Sequence, residues 1–238
     1  MSGLFFYKNI EPLNKEKHKG YKLAPAENGF SFIKESIAVL LAGAEFIEAS
    51  KEFPIVFVKN EQESLVPAVL LGLRENENLF VDKNDQWIGQ YVPAFIRRYP
   101  FVFAANEEKL TVCIDADFSG FQQQEGEDLF SDEGETLPAL QKVIDFLMEY
   151  QRQFKRTEVF VKRLEDEDLF TSLNANVSMN DGRQFSLTGF YIIDEKKLAA
   201  LDDKKVLDIF RLGEFAWIYA HLASLNNLQK MVNLVPVD

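Results

Sequence analysis

The sequence predicts an α+β fold in which a mainly antiparallel sheet of about six strands packs against a long helix and a C-terminal helix. Short apolar runs follow one another closely between residues 36 and 115. Such runs favour hairpins, because parallel strands need crossovers of a dozen residues or more. A long helical stripe begins near residue 136, and an Asp-Gly turn and further helical segments follow it.

The composition fits one large folded unit. The chain has 238 residues, 47% of them hydrophobic and 22 of them Phe, which is enough to build a substantial core. We interpret it as a single domain with four parts: an N-terminal arm at 1–35, a strand-rich half at 36–115, an acidic loop at 122–135 and a helix-rich half at 136–238.

The N-terminal arm is locally basic and has little periodicity. Five lysines and His18 lie between residues 8 and 22. We expect the arm to lie extended on an otherwise acidic body, held by Coulomb attraction and by apolar anchors. These anchors are Leu4, Phe5, Phe6, Ile10 and Leu13.

The strand-rich half begins with a short helix that a proline ends. Pro54 disfavours the α conformation of the residue before it, so a helix at Ala44–Lys51 stops there. Apolar and β-branched runs separated by polar turns then predict strands. These strands are Ile55–Lys59, Leu65–Leu73, Asn78–Asp82, Phe101–Ala104 and Lys109–Asp115.

One segment of this half breaks the strand pattern and forms a candidate binding site. Apolar residues within Tyr91–Tyr99 recur at helical spacing, and Pro100 ends the segment. Adjacent arginines beside aromatic rings can grip a carboxylate or stack on the rings. We therefore name Tyr91, Arg97 and Arg98 as candidate ligand or partner residues. The alternative is a surface arginine pair bound to nearby acids.

The helix-rich half follows the acidic loop, whose residues lack the alternating offsets of a calcium loop. A helix is predicted from Thr136, as its cap, to about Leu164. Its apolar stripe comprises Leu140, Val143, Leu147, Tyr150, Phe154, Val161 and Leu164. Strands at Asn174–Met179 and Arg183–Ile193 flank the turn Asn180-Asp181-Gly182. The closing helices are Glu195–Leu201, Asp203–Arg211 and Glu214 to about Met231, with Gly213 before the last.

The last predicted helix carries the second candidate site. Glu214, Trp217 and His221 share one face at spacings of three, four and seven residues. A buried histidine with a carboxylate partner can move protons or hold a polar ligand. The alternative is a histidine that is hydrogen-bonded within the core and has no ligand.

Charge and motifs exclude several functions. The net charge of −12 disfavours nucleic acid and anionic membranes as partners, and leaves a basic protein partner or a cationic ligand open. The two histidines, at 18 and 221, and the single Cys113 form no metal-binding motif, so no metal is expected. Nucleotide-binding loops and nucleophile elbows are missing, so no cofactor and no catalytic residue are assigned. No apolar run is long enough for an integral membrane segment.

Several stretches spread along the chain resemble the bacterial SapC family. They include Leu4–Asn9 with Leu13–His18, Phe53–Phe57, Leu70–Leu73 with Glu77–Asp82, Tyr91–Phe101, Leu110–Asp115 and Phe215–Leu225. The family takes its name from a surface-layer gene cluster. The resemblance implies no reaction, cofactor or catalytic residue.

These observations together favour a non-enzymatic accessory or binding protein with a protein partner, linked by the resemblance to surface-layer or envelope biogenesis. One alternative is a small-molecule-binding protein or enzyme with a pocket beside His221. A second is an exported surface-layer subunit. The N-terminus lacks the pattern of a secretory signal, so we expect a cytoplasmic protein, with export by another route left open. The oligomeric state is also left open.

Overall fold

The computed structural model describes residues 6–106, 109–121, 125–178 and 184–235. The strands are Ile10–Pro12 (β1), Lys22–Leu23 (β2), Ala38–Leu40 (β3), Ile55–Lys59 (β4), Leu65–Leu70 (β5), Phe101–Asn106 (β6), Lys109–Asp115 (β7), Glu127–Asp128 (β8), Phe170–Ser178 (β9) and Gln184–Ile193 (β10). The α-helices are Phe46–Ala49 (α1), Ala94–Arg97 (α2), Pro138–Asp166 (α3), Glu195–Ala199 (α4), Asp203–Arg211 (α5), Phe215–Ser224 (α6) and Asn227–Val232 (α7).

A five-stranded antiparallel sheet forms the centre of the fold, in the order β3-β5-β4-β10-β9. One edge of β4 pairs with β5, and the other meets β10 where Phe57 faces Tyr191. Residues 55–58 of β4 are buried, as expected for a central strand that is covered on both faces. The predicted α+β class is confirmed, with the strands divided among sheets of five, three and two.

The arm pairs with the body through two small sheets. β1 lies antiparallel to β7, and β2 pairs with β8. Behind β1, the carboxylate of the fully buried Asp115 accepts the backbone N–H groups of Lys8 at 2.9 Å and Asn9 at 3.0 Å. Among the predicted anchors, Phe6 is buried whereas Ile10 is exposed. Leu4 and Phe5 lie outside the described residues.

The long helix α3 confirms the predicted helical stripe but not its cap. Leu140, Leu147, Tyr150, Val161 and Leu164 are buried, and Val143 and Phe154 are half-buried. The cap prediction is wrong, because the residue at the cap position is Leu137. Thr136 instead forms a β-bridge with Phe130.

Two further predicted elements differ from the structure. Asn78–Asp82 is not a strand. The backbone N–H of Leu79 donates to the Leu71 carbonyl, whereas the Phe80 carbonyl accepts the N–H of Ile88, so no single strand runs alongside this segment. The helix predicted from Glu214 to Met231 breaks after α6. The Asn227 amide donates there to the carbonyls of Ser50 at 2.7 Å and Phe53 at 3.1 Å, which holds the turn against α1.

Other predicted elements hold, with shifted bounds. Gly213 separates α5 from α6 in a left-handed conformation, with φ of 71°. β9 and β10 pair antiparallel as the Asp-Gly turn predicts, although residues 180–182 lie outside the described ones. β6 and β7 form the predicted hairpin, whose turn residues 107 and 108 also lie outside them.

The buried apolar residues form two clusters. The larger one surrounds the five-stranded sheet and includes Phe57, Phe95 and Ile218. The smaller one lies against the three-stranded sheet and contains Phe101, Ile114, Phe118, Phe121, Leu129, Leu140 and Leu147. Tyr99 packs against both clusters, and α3 contributes residues to each. The boundary between the clusters is where the candidate site lies.

Candidate functional site

A cleft of about 680 Å³ opens at this boundary, and we call it the Arg97 cleft. Residues 23–26 of the arm form one wall, with Phe30 and Phe32 beside them. The end of α2 and residues 99–101 form the second wall. Lys142, Val143 and Phe146 of α3 form the third. Most of these side chains are apolar, and the volume lies within the usual range of ligand sites.

A buried carboxylate fixes the position of α2. Glu45, which is 8% exposed, accepts the backbone N–H of Ala94 and the hydroxyl of Tyr91, both at 2.7 Å. Burial, followed by the charge of Glu45, raises the pKa of Tyr91, so the hydroxyl stays protonated and donates. The helix is shorter than predicted, but its buried residues 94–96 hold Arg97 and Arg98 at its end.

Arg97 is held at the cleft by hydrogen bonds and by an aromatic contact. Its Nε donates to the Val92 carbonyl at 2.9 Å. Its Cζ lies 5.3 Å from the ring centroid of Phe146 and 5.9 Å from that of Tyr91. The Tyr91 hydroxyl also accepts a hydrogen bond from Arg97, and the guanidinium keeps further N–H donors beyond these two bonds. The side chain is exposed, and no carboxylate of the described residues forms an ion pair with it.

Arg98 also lines the cleft, but its guanidinium contacts buried aromatic rings. Its Cζ lies 4.0 Å from the ring centroid of Phe95, 5.4 Å from that of Tyr150 and 5.9 Å from that of Tyr7. Burial raises the pKa of Tyr7 to about 12, with Arg98 opposing the rise. The arginine therefore joins the arm, α2 and α3 by cation–π contacts, each worth about 0.5–2 kcal/mol.

The charges that line the cleft are all positive. Arg97, Arg98 and Lys142 line it, and no Asp or Glu of the described residues does. This composition contrasts with the net charge of −12 on the whole chain. A cation-lined apolar cleft can accept a ligand that is apolar in body and negative at one end.

The second candidate site is placed in the core. His221 is fully buried, and its ring packs 5.1 Å from that of Phe57. Nε2 accepts the N–H of Ile193 at 3.1 Å, so Nδ1 carries the proton and donates to the Ile55 carbonyl at 2.9 Å. Both nitrogens of the ring are therefore used in binding β4 and β10 to α6. These contacts give no support to a pocket beside His221.

Glu214 and Trp217 have separate partners. Glu214 is buried and pairs with Arg163 at 3.2 Å, and burial raises the pKa of its carboxyl group. Trp217 packs edge-on against Phe160 at 5.2 Å and lies under the guanidinium of Arg156 at 4.6 Å. Glu214 directly precedes α6, which carries Trp217 and His221, and its carboxylate bonds to Arg163 and not to His221. As site residues they remain a prediction.

The buried imidazole predicts a pH dependence of stability. Burial lowers the pKa of His221 from 6.5 to about 4. Between these two pH values the ring is neutral in the folded protein and protonated in the unfolded chain. The contribution of the neutral ring to the free energy of unfolding is complete above about pH 6.5 and is lost as the pH falls towards 4. We expect His221 to account for a loss of about 3 kcal/mol over this window, by 1.36 kcal/mol per pKa unit.

Urea unfolding at pH 7.0, 5.5 and 4.5 measures this loss. In His221→Gln the part of the decline that comes from the ring should vanish, whereas the part that comes from the carboxylates should remain. Equal declines in the two proteins would contradict the assignment.

Two lining residues of the Arg97 cleft, Arg97 and Arg98, were candidates predicted from the sequence, and the other lining residues were not. Lys142, Val143 and Phe146 belong to one helix face, but only Val143 was part of the predicted stripe. No sequence pattern predicted that residues 23–26 form a wall of the cleft, because the arm was predicted only to lie extended on the body. Its place depends on Ala24, whose N–H donates to the Gly120 carbonyl at 3.2 Å.

The fold and the cleft define an α+β protein with a cation-lined apolar cleft. The model of the SapC family matches residues 13–231, which is most of the chain. The chain therefore belongs to the SapC family, as the resemblance indicated. No curated protein and no solved structure matches it.

Membranes and metals can be considered only for the residues that the structure describes. The longest of their helices, α3 with 29 residues, is too polar to cross a bilayer, and none of the others qualifies either. Within the same ranges, no three His, Cys, Asp or Glu side chains come together in a way that could hold a metal ion.

Proposed function

We propose that this SapC-family protein is a non-enzymatic binding protein whose ligand occupies the Arg97 cleft. The observation that carries the proposal is the cleft itself, which is preformed, about 680 Å³ in volume and mostly apolar in its walls. A cleft with these properties is the default binding site of a folded protein.

The placement of the reactive side chains supports a binding role. His18, Cys113 and His221 are buried, and none of them lines the cleft. His18 accepts the N–H of Asn14 through Nδ1 and donates through Nε2 to Glu11, both bonds lying within the arm. Burial raises the pKa of Cys113, which disfavours the reactive thiolate. Among the described residues, therefore, no histidine or cysteine is placed in the cleft where it could act as a base or nucleophile.

Filling the cleft is expected to abolish binding of an apolar probe. Val143→Trp puts an indole into the third wall, where it takes the volume that a ligand needs. We expect the neutral dye Nile red to bind the wild-type protein saturably, with a blue-shifted emission. Its affinity for the variant should fall at least about tenfold, which is about 1.4 kcal/mol. Fluorescence titration at fixed dye concentration measures both affinities.

Val159→Trp is the matched control, because Val159 is an exposed residue of the same helix and does not line the cleft. This variant should bind the dye like the wild type. Absence of saturable binding to the wild type would refute the proposal, as would equal affinities of the wild type and Val143→Trp.

The family resemblance supports a biological setting for this binding role. We propose an accessory function in surface-layer or envelope biogenesis, with a cytoplasmic location and a protein partner that receives or supplies the ligand. The alternative is an exported surface-layer subunit. Fractionation of cells that express the native protein separates the two, because a lattice subunit would be recovered with the envelope.

A further inference from the structure

We infer that the ligand of the Arg97 cleft is an amphipathic anion, with one carboxylate or phosphate group at Arg97 and Lys142 and an apolar body against Phe30 and Val143. This inference rests on the proposed binding function of the cleft. It adds the chemical class of the ligand and the residues that select it.

The first support is the charge of the lining. Three cations and no acid line the cleft among the described residues, on a chain with 38 acidic and 26 basic residues. Exposed cations elsewhere often have carboxylate partners, as Lys34 does with Asp85 at 2.5 Å and Lys59 with Glu63 at 2.6 Å. Neither Arg97 nor Lys142 forms an ion pair within the described part of the chain. An anionic ligand supplies the missing countercharge.

The second support is the geometry of Arg97. The Nε bond to Val92 and the contact with the Phe146 ring restrain the guanidinium. A guanidinium has five N–H donors, so N–H groups remain beyond the bonds to the Val92 carbonyl and the Tyr91 hydroxyl, and they match the oxygens of a carboxylate or phosphate. A restrained donor loses less conformational entropy on binding.

The third support is the character of the walls, which separates an amphiphile from a simple anion. Inorganic phosphate would use only the exposed cations, and such exposed contacts are weak and screened by salt. A neutral apolar molecule would fill the walls but leave Arg97 and Lys142 partly desolvated and without an anionic partner. A molecule with both parts uses the whole cleft.

Displacement of Nile red by molecules that share a twelve-carbon chain tests the inference. The competitors are dodecanoate, dodecyl phosphate, dodecanol and dodecyltrimethylammonium, each used below the concentration at which it forms micelles, together with inorganic phosphate. With the wild type, we expect one or both anions to compete at least about tenfold better than the alcohol. The ammonium compound should be the weakest competitor among the four twelve-carbon compounds. Inorganic phosphate should not displace the dye. The stronger of the two anions identifies the head group.

Two exposed cations are the targets for substitution, so the fold should be retained. In the double variant Arg97→Gln with Lys142→Gln, the preference for the anion over the alcohol should fall to about twofold or less. Each competition is referred to the Nile red affinity measured for that same variant, so a change in dye binding does not enter the preference. Arg152→Gln with Lys155→Gln is the matched control, because both residues are exposed on α3 and lie outside the cleft. This control should keep the wild-type preference.

The possible failures are distinguishable. If Nile red binds and dodecanol competes as well as the anions, the inference is wrong and the proposed binding function stands. The same holds if the double variant keeps the full anion preference. If Nile red does not bind at all, the proposed function fails and the inference fails with it.

Discussion

A His221→Ala substitution is expected to lower the free energy of unfolding by about 3 kcal/mol. The imidazole is fully buried and bonds to the Ile55 carbonyl and the Ile193 N–H. Alanine removes the ring, so both backbone groups lose their partner in a site without water contact, and a space opens beside Phe57. Each effect costs about 1–3 kcal/mol. For a chain of this length, the melting temperature should fall by about 6–12 °C.

Thermal and urea unfolding of the purified variant measure the change. Tyr219→Ala is the control on the same helix, because Tyr219 is 60% exposed and its loss should cost less than about 1 kcal/mol. A stability of His221→Ala within about 0.5 kcal/mol of the wild type would show that the two backbone bonds are not needed. It would also favour the predicted ligand role of His221 over a structural one.

The His221 contacts show where sequence reasoning reached its limit. A period of 3.6 residues placed Glu214, Trp217 and His221 on the inward face of a helix, and the structure confirms that all three are buried. The pattern does not say what lies opposite that face. The partners of the ring are backbone groups of β4 and β10, which no side-chain pattern reports, since every residue carries the same N–H and C=O.

For the Arg97 cleft, the sequence predicted one wall and not the other two. The aromatic residues around Arg97 and Arg98 were visible in one short segment, and the structure places both arginines at a cleft. The opposite walls come from the arm and from α3, which are separated from α2 by about 45 to 70 residues. Their approach depends on tertiary packing, and a single sequence contains no measure of it.

The observed strands of five residues or more were predicted, whereas those of two or three residues were missed. β4, β5 and β7 have five to seven residues each and were predicted within a few residues. β1, β2, β3 and β8 have two or three residues, which is too few to show an alternation of period two. The order of the central sheet was also out of reach, because β4 and β10 meet through few residues that are far apart in the chain.

A Gly43→Ala substitution is expected to lower the free energy of unfolding by about 2–3 kcal/mol, although it adds only one methyl group. A Cβ at this position would lie 2.5 Å from Cζ3 and 2.6 Å from Cε3 of Trp217. The indole cannot easily move away, because Phe160 packs on it at 5.2 Å and Phe46 at 6.1 Å. The backbone is also held, since the Gly43 N–H donates to Thr157 Oγ1 at 2.8 Å. Thermal unfolding measures the loss.

Two further variants test whether the indole is the cause. Gly20→Ala is the matched control, because a Cβ there meets no atom within 4 Å, and its stability should change by less than about 0.5 kcal/mol. Trp217→Phe removes the outer part of the indole. In a Trp217→Phe protein, the loss of unfolding free energy caused by Gly43→Ala should therefore be smaller than in the wild type, by at least about 1 kcal/mol. Additive losses in the double variant would contradict the assignment. Gly43 precedes α1 and Trp217 lies on α6. A smaller loss in the double variant than the sum of the two single losses would mean that a glycine is needed where these two distant segments meet.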